Sequence, residues 1–157
     1  MAFLTTAPIA WDRVADLNRR VSQGHCGAVV TFIGVVRADQ DKRHVIRALC
    51  YEAYPQMAEA LIHQLIHEAT TRWALRGAQV QHRLGLVEVG HISVVVAVAA
   101  QHRAAAYAAS QFLIERIKRD APIWKREQYD DGASRWNVGA AQLVDVADPV
   151  GVDHADV

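Results

Sequence analysis

At 157 residues the chain has the length of one domain with a real core to bury. Its 17 Lys and Arg balance 17 Asp and Glu, and 52% hydrophobic with 22% charged residues is an ordinary globular mixture. A neutral balance argues against broad nucleic-acid binding, for which a basic domain is expected, and no run approaches the roughly 18 apolar residues that span a bilayer. The N-terminal MAFLTTAPIAWDRV has neither the basic start nor the long apolar core of a secretory signal. A cytoplasmic protein is therefore expected, with Cys26 and Cys50, both in apolar strand-like runs, as reduced and buried thiols.

In chain order, residues 8–23 read as a first helix: Pro8 suits an early position, Val14, Leu17 and Val21 recur at helical spacing, and Gly24 supplies a stop. Residues 27–36 are β-branched and nearly all apolar, which predicts a well-buried strand ending at Arg37. The polar stretch 38–44 reads as a mobile loop, and residues 45–53 resume a strand. Pro55 opens a second helix to about Leu75, with Met57, Leu61, Leu65, Ile66, Ala69 and Trp73 as its apolar stripe and Gly77 as its end. Residues 79–86 and 92–100 are the next strands. A third helix runs from Arg103 to Asp120, filled by Tyr107, Phe112, Leu113 and Ile117, and must stop because Ala121 precedes Pro122.

A short extended piece, the turn Asp130-Asp131-Gly132 and Arg135-Trp136-Asn137 form an expected hairpin. The last residues carry four aspartates and no lysine or arginine after Ala140, so 1–140 is expected to be the folded domain and 141–157 an acidic, poorly ordered tail. The order α-β-β-α-β-β-α-β-β, with strands in adjacent pairs, predicts an α+β domain of antiparallel strand pairs and three main helices.

Several motifs carry no chemistry on this reading. His63 and His67 stand four apart, a spacing able to hold a metal, but they lie opposite the apolar stripe and HQLIH lacks the zinc-protease glutamate, so a solvated face is expected and no metal. Gly24, Gly27 and Gly34 precede a strand rather than a helix and make no dinucleotide fingerprint. Cations are more informative. Arg37 sits where a buried strand gives way to a polar loop, and His102-Arg103 opens a helix whose free N–H groups favour anions. Lys118 lies in the last turn of that helix. Lys125 and Arg126 follow Trp124 on an extended piece that alternates their directions. If Pro122 turns the chain back, Lys125 comes beside Lys118, where adjacent ammonium groups depress one another's proton affinity and a lysine becomes able to exchange protons.

Five ordered segments together resemble the large, catalytic subunits of molybdopterin synthase, the MoaE family: GAVVTFIGVVR (27–37), YEAYPQMAE (51–59), HRLGLVEVG (82–90), AAQHRAAAYAASQFLIERIK (99–118) and APIWKRE (121–127). His91 departs from the family, which often has an acidic residue there. The resemblance implies an α/β-hammerhead-like fold and a sulfurtransferase that needs no cofactor. It inserts two sulfurs into cyclic pyranopterin monophosphate (precursor Z) to form the dithiolene of molybdopterin. The sulfur arrives as a thiocarboxylate on the C-terminal Gly-Gly of a small ubiquitin-like sulfur-carrier subunit. Two large subunits form the homodimer core of a heterotetramer.

The family's substrate-binding positions fall on Val35, Val36, Arg37, His102, Arg103, Lys118, Lys125, Arg126 and Glu127, with Lys118 and Lys125 as the catalytic pair and Lys118 nearest the transferred sulfur. Substrate phosphate and thiocarboxylate are both anions, so arginines suit the former and lysines a developing oxyanion. No cysteine is required, because the partner carries the sulfur.

Arg103 and Lys118 lie at opposite ends of one helix, roughly 22 Å apart at 1.5 Å per residue. Each site is therefore expected to be composite, with His102 and Arg103 supplied by the other large subunit. The alternative reading is a non-enzymatic module that captures a phosphorylated ligand or single-stranded RNA with the same cations and Trp124 as a stacking surface.

Overall fold

The computed structural model describes residues 2–22, 24–41 and 44–137. The elements in chain order are β1 (Leu4–Thr5), α1 (Trp11–Val21), β2 (Ala28–Val35), β3 (Gln40–Asp41), β4 (His44–Ala53) and α2 (Pro55–Trp73). They continue with β5 (Gly77–Arg83), β6 (Gly85–Glu88), β7 (Ile92–Ala100), α3 (Arg103–Asp120), β8 (Ile123–Tyr129) and β9 (Ser134–Asn137). Among the described residues, three helices and two largely antiparallel sheets make an α+β fold, as the strand pairing in the sequence predicts. No helix among the described residues is long and apolar enough to cross a membrane. The expected acidic tail, 141–157, lies outside the described residues.

The first sheet has the order β1-β5-β7-β2. Its central strand β7, ISVVVAVAA, is buried at every position because both faces are covered. Val94, Val96, Val98 and Ala100 meet Leu65 of α2 and Leu113 of α3 on one side. Val95, Ala97 and Ala99 meet Val14, Leu17 and Val21 of α1 on the other. Strand periodicity thus divides one apolar run between two cores. The second sheet runs β3-β4-β8-β9, with β6 also paired to β4. Val36, Ile46, Leu49, Val87 and Tyr129 form a smaller core there.

The structure corrects several expectations. The run 79–86 is not one strand but two, β5 in the first sheet and β6 in the second, because Gly85 takes φ +79° and swings the chain from one sheet to the other. The first helix starts at Trp11, after Pro8 rather than around it. The polar stretch is partly ordered: Gln40 and Asp41 pair with Val45 and His44, and 42–43 lie outside the described residues.

Helix α2 stops at Ala74, in the left-handed region at φ 48°, and Gly77 instead opens β5. An alanine there would bring its Cβ to 3.0 Å from the Val21 backbone. The fully buried stripe of α2 is Ala58, Ile62, Leu65 and Ala69; of the expected set Leu65 and Ala69 are in it, Leu61, Ile66 and Trp73 pack half-buried against the same core, and Met57 is 64% exposed. Tyr107, expected to fill the core, is 65% exposed. Cys26 and Cys50 are free thiols, half-buried rather than buried.

Gly27 stands where β2 begins beside the end of β7, and a Cβ on it would overlap the Gln101 carbonyl oxygen. That oxygen belongs to the main chain and cannot rotate away. Gly27→Ala is therefore expected to cost about 1–3 kcal/mol, read as a lower denaturant midpoint; an unchanged midpoint would contradict this packing.

Candidate active site

A cleft of about 660 Å³ opens between the two sheets, at the end of β2 and the C-terminal turn of α3. That size falls within the roughly 300–1,000 Å³ of small-molecule sites. Several segments of the chain reach it. The end of β2 and the residues after it bring Val35, Val36, Arg37 and Asp39; α3 brings Ile114, Ile117 and Lys118; β8 brings Ile123, Trp124, Lys125 and Glu127; β4 brings Leu49 and Tyr51.

Pro122 explains the meeting of α3 and β8. Ala121 takes φ −70°, ψ 134°, the extended conformation that a following proline imposes. The chain leaves α3 and runs antiparallel to β4, pairing Lys125 with Tyr51 and Glu127 with Leu49. Directly paired residues share a face, so both β8 side chains point with Tyr51 toward the cleft. Lys118 and Lys125 therefore line one cavity.

The cations around Lys118 are otherwise committed. Arg119 and Arg116 both bind Asp120, at 2.7 and 2.5 Å, and together hold its carboxyl down at about 2. Among the described residues neither Lys118 nor Lys125 has a carboxylate partner. Lys118 Nζ lies 5.7 Å from the Phe32 ring centroid, a cation–π contact on the cleft wall. Arg37 is 84% exposed at the rim and its Nε donates to Asp39 Oδ2 at 2.8 Å. Glu127 Oε2 accepts from the Tyr129 hydroxyl at 2.8 Å.

Three expected site residues lie elsewhere in the single chain. Arg126 pairs with Cys50 and Trp136 on the opposite face of the sheet, its guanidinium 5.4 Å from the Trp136 ring centroid. Its Nε is buried with no hydrogen-bond partner among the described residues. His102 caps α3 and Arg103 begins it, both exposed at the end of the helix remote from Lys118. His63 and His67 are exposed on α2.

Sequence reasoning missed the polar floor. His82, 7% exposed, lines the cleft. Its Nδ1 lies 2.8 Å from the Arg83 carbonyl oxygen, so Nδ1 carries the proton and donates. Its ring meets Tyr51 edge-on at 4.9 Å. Burial pushes the imidazole down to about 4, the Arg83 carbonyl opposes that, and the Lys118 charge adds to it. Burial likewise raises the Tyr51 phenol, with Ser93 as the polar neighbour opposing the shift. The only signal in the sequence was HRLG, which reads as a strand end until β5 is placed against the cleft.

Comparisons with known proteins agree on one family. The family model described as MoaE protein matches residues 4–120. The Thermoplasma volcanium molybdopterin synthase catalytic subunit is 44% identical over 122 residues, covering 78% of this chain and 88% of that protein. The Bacillus subtilis molybdopterin synthase catalytic subunit is 39% identical over 129 residues, covering 82% and 80%. The crystal structure of molybdopterin synthase from Staphylococcus aureus superposes with a TM-score of 0.79 at 34% identity, covering 87% of this chain and 96% of that one. With identity and fold extending over most of its length, the chain belongs to the MoaE family, that of the molybdopterin synthase catalytic subunits.

Proposed function

We propose that this chain is the sulfur-inserting subunit of a molybdopterin synthase. It takes sulfur from the C-terminal thiocarboxylate of a small ubiquitin-like carrier and adds it to cyclic pyranopterin monophosphate, twice per product. The observation that carries this reading is a pair of lysines, Lys118 and Lys125, that have no carboxylate partner among the described residues and face one cleft of substrate size with Arg37 at its rim. Family membership supports it, since the relatives are named as catalytic subunits of that enzyme; the word subunit in those names fits a further chain as partner.

The chemistry follows from the charges. Arg37 offers the planar donor fork that grips a phosphate. The thiocarboxylate sulfur attacks a side-chain carbon of the pterin and displaces an oxygen substituent from it, and that sulfur then leaves the carrier's acyl carbon when water adds there. The C–S bond breaks, a C–O bond forms, and the carrier departs as a carboxylate. That carbon passes through a tetrahedral oxyanion, which an ammonium in a water-poor cleft stabilises. Lys118 is assigned to the transferred sulfur and Lys125 to the supporting charge.

His102 and Arg103 join this site from a second copy. Arg103 and Lys118 are the first and sixteenth residues of α3, roughly 22 Å apart along the axis. Among the described residues β2 pairs only with β7, and its eight residues carry no charge, an edge that invites a further strand. Two such edges paired antiparallel about a two-fold axis bring the start of one β2 beside the end of the other. The start of β2 adjoins Ala100, two residues before His102. The second copy's His102 and Arg103 would thereby approach Arg37 and Lys118.

Mixing a His102→Ala, Arg103→Ala double variant with a Lys118→Ala variant tests both the function and the composite site. Randomly exchanged dimers should recover roughly a quarter of wild-type sulfur transfer, because half are mixed and each mixed dimer holds one intact site. No recovery after verified subunit exchange would contradict it.

A further inference from the structure

We propose that Tyr129 is a positioning residue for the cleft: its hydroxyl holds the Glu127 carboxylate away from Lys125 and so keeps the Lys125 ammonium open to an anionic substrate. The inference rests on the reading of Lys125 as the supporting charge in sulfur transfer.

Strand periodicity sets up the choice. Lys125, Glu127 and Tyr129 alternate onto one face of β8. The first two line the cleft. Tyr129 lies beyond them, 8% exposed and packed with Val36, Ile46 and Leu49. Residues two apart on a strand stand roughly 7 Å apart along the backbone. A glutamate between the two can therefore reach either the ammonium on one side or the phenol on the other.

The carboxylate takes the phenol. The Tyr129 hydroxyl donates to Glu127 Oε2 at 2.8 Å, whereas Lys125 has no carboxylate partner among the described residues. The donor itself is fixed. Its ring is held in the core and against His44, with ring centroids 5.4 Å apart. Its backbone N–H donates to the Ala133 carbonyl at 3.0 Å across the hairpin turn. Arg135 stands opposite Glu127 on β9 as a further cation in reach.

Chemistry gives the arrangement its use. A carboxylate resting on Lys125 would cancel the charge that a developing oxyanion needs. A phenol anchors the same carboxylate through a neutral donor and leaves the ammonium charge in the cleft undiminished. Because the carboxylate is already turned aside, no rearrangement is required when the substrate arrives.

A crystal structure of full-length Tyr129→Phe, without substrate or carrier, tests the contact. The change removes one hydroxyl and keeps the ring in the core, so the fold should survive. Glu127 should swing to within about 4 Å of the Lys125 ammonium. A carboxylate that stays in place, or that turns to Arg135 instead, would overturn the proposal whatever reaction the protein performs.

In turnover, Tyr129→Phe should lower kcat roughly three- to thirtyfold, the contribution of one hydrogen bond, with KM for the pterin within about twofold. In a Glu127→Gln background no carboxylate remains to reach Lys125, and the same change should cost less than about twofold. Wild-type kcat in Tyr129→Phe, or an equal loss in both backgrounds, would overturn the role. Absence of sulfur transfer by the wild-type protein would strike the sulfur-transfer reading alone, because the crystallographic result stands without it.

Discussion

Lys118→Ala is expected to lower sulfur transfer by roughly 10²–10⁴-fold, the range for removing a proton-transferring or oxyanion-stabilising group, while the protein folds and assembles normally. The side chain emerges from the last turn of α3 and leaves the core through its stem; the buried contacts of that turn belong to Leu113, Ile114 and Ile117. Arg116, Arg119 and Asp120 keep their own ion pairs in the variant. Unfolding midpoint and native mass should therefore stay near wild type. Lys118→Arg separates the enzyme from a module that only binds anions. An arginine keeps the charge but cannot exchange protons near neutral pH, so an enzyme loses turnover, whereas a binding module retains affinity with its steep salt dependence. Near-normal turnover in Lys118→Ala would remove Lys118 from the mechanism, whereas near-normal turnover in Lys118→Arg would confine it to supplying charge.

His82 should make the fold sensitive to mild acid. Its proton affinity falls from the ordinary 6.5 to about 4 on folding, first through burial. Between those values the unfolded chain binds a proton at this position that the folded chain refuses, so stability drops as pH falls through that window. Above pH 6.5 both states are neutral and nothing is lost; below about 4 both are protonated and the loss is complete. Integrated over the window, the effect reaches about 3 kcal/mol. Denaturant titrations at pH 7 and pH 4.5 should show wild type losing more stability than His82→Gln, which carries no titrating group there. Exposed histidines such as His63 and His67 are common to both proteins and cancel. Parallel losses in the two proteins would contradict the buried neutral imidazole.

Much of this fold can be read from local rules. Helix α3 occupies Arg103 to Asp120 as expected, because the residue before Pro122 is barred from the helical region and the basic last turn suits the helix C-terminus. Strand β7 declares itself by an apolar run too continuous for a half-solvated strand. The β8–β9 hairpin follows from its aspartate-rich turn with Gly132 at φ +86°.

Features that depend on partners distant in sequence were illegible. The two-residue strand β1 exists only because it lies beside β5, and nothing local marks Gly85 as the point where the chain changes sheets. The stripe of α2 was only partly legible, with Ala58 and Ile62 unforeseen and Met57 exposed, because apolar residues cover more than one face of that helix and tertiary packing selects among them.

The site divides the same way. Alternation along β8 already sends Lys125 and Arg126 in opposite directions, and pairing with β4 decides that Lys125 takes the cleft. His82 could not be singled out, because its significance comes from burial beside Lys118 and a backbone carbonyl rather than from spacing.

Mass spectrometry of one reaction tests the central claim most directly. The protein is incubated with cyclic pyranopterin monophosphate and a carrier whose C-terminal thiocarboxylate bears heavy sulfur. The account predicts a pterin product carrying two labelled sulfurs and two carriers converted to carboxylates for each product formed, with neither appearing for Lys118→Ala. Label remaining on the carrier, or a pterin unchanged in mass in the presence of folded wild-type protein, would contradict it.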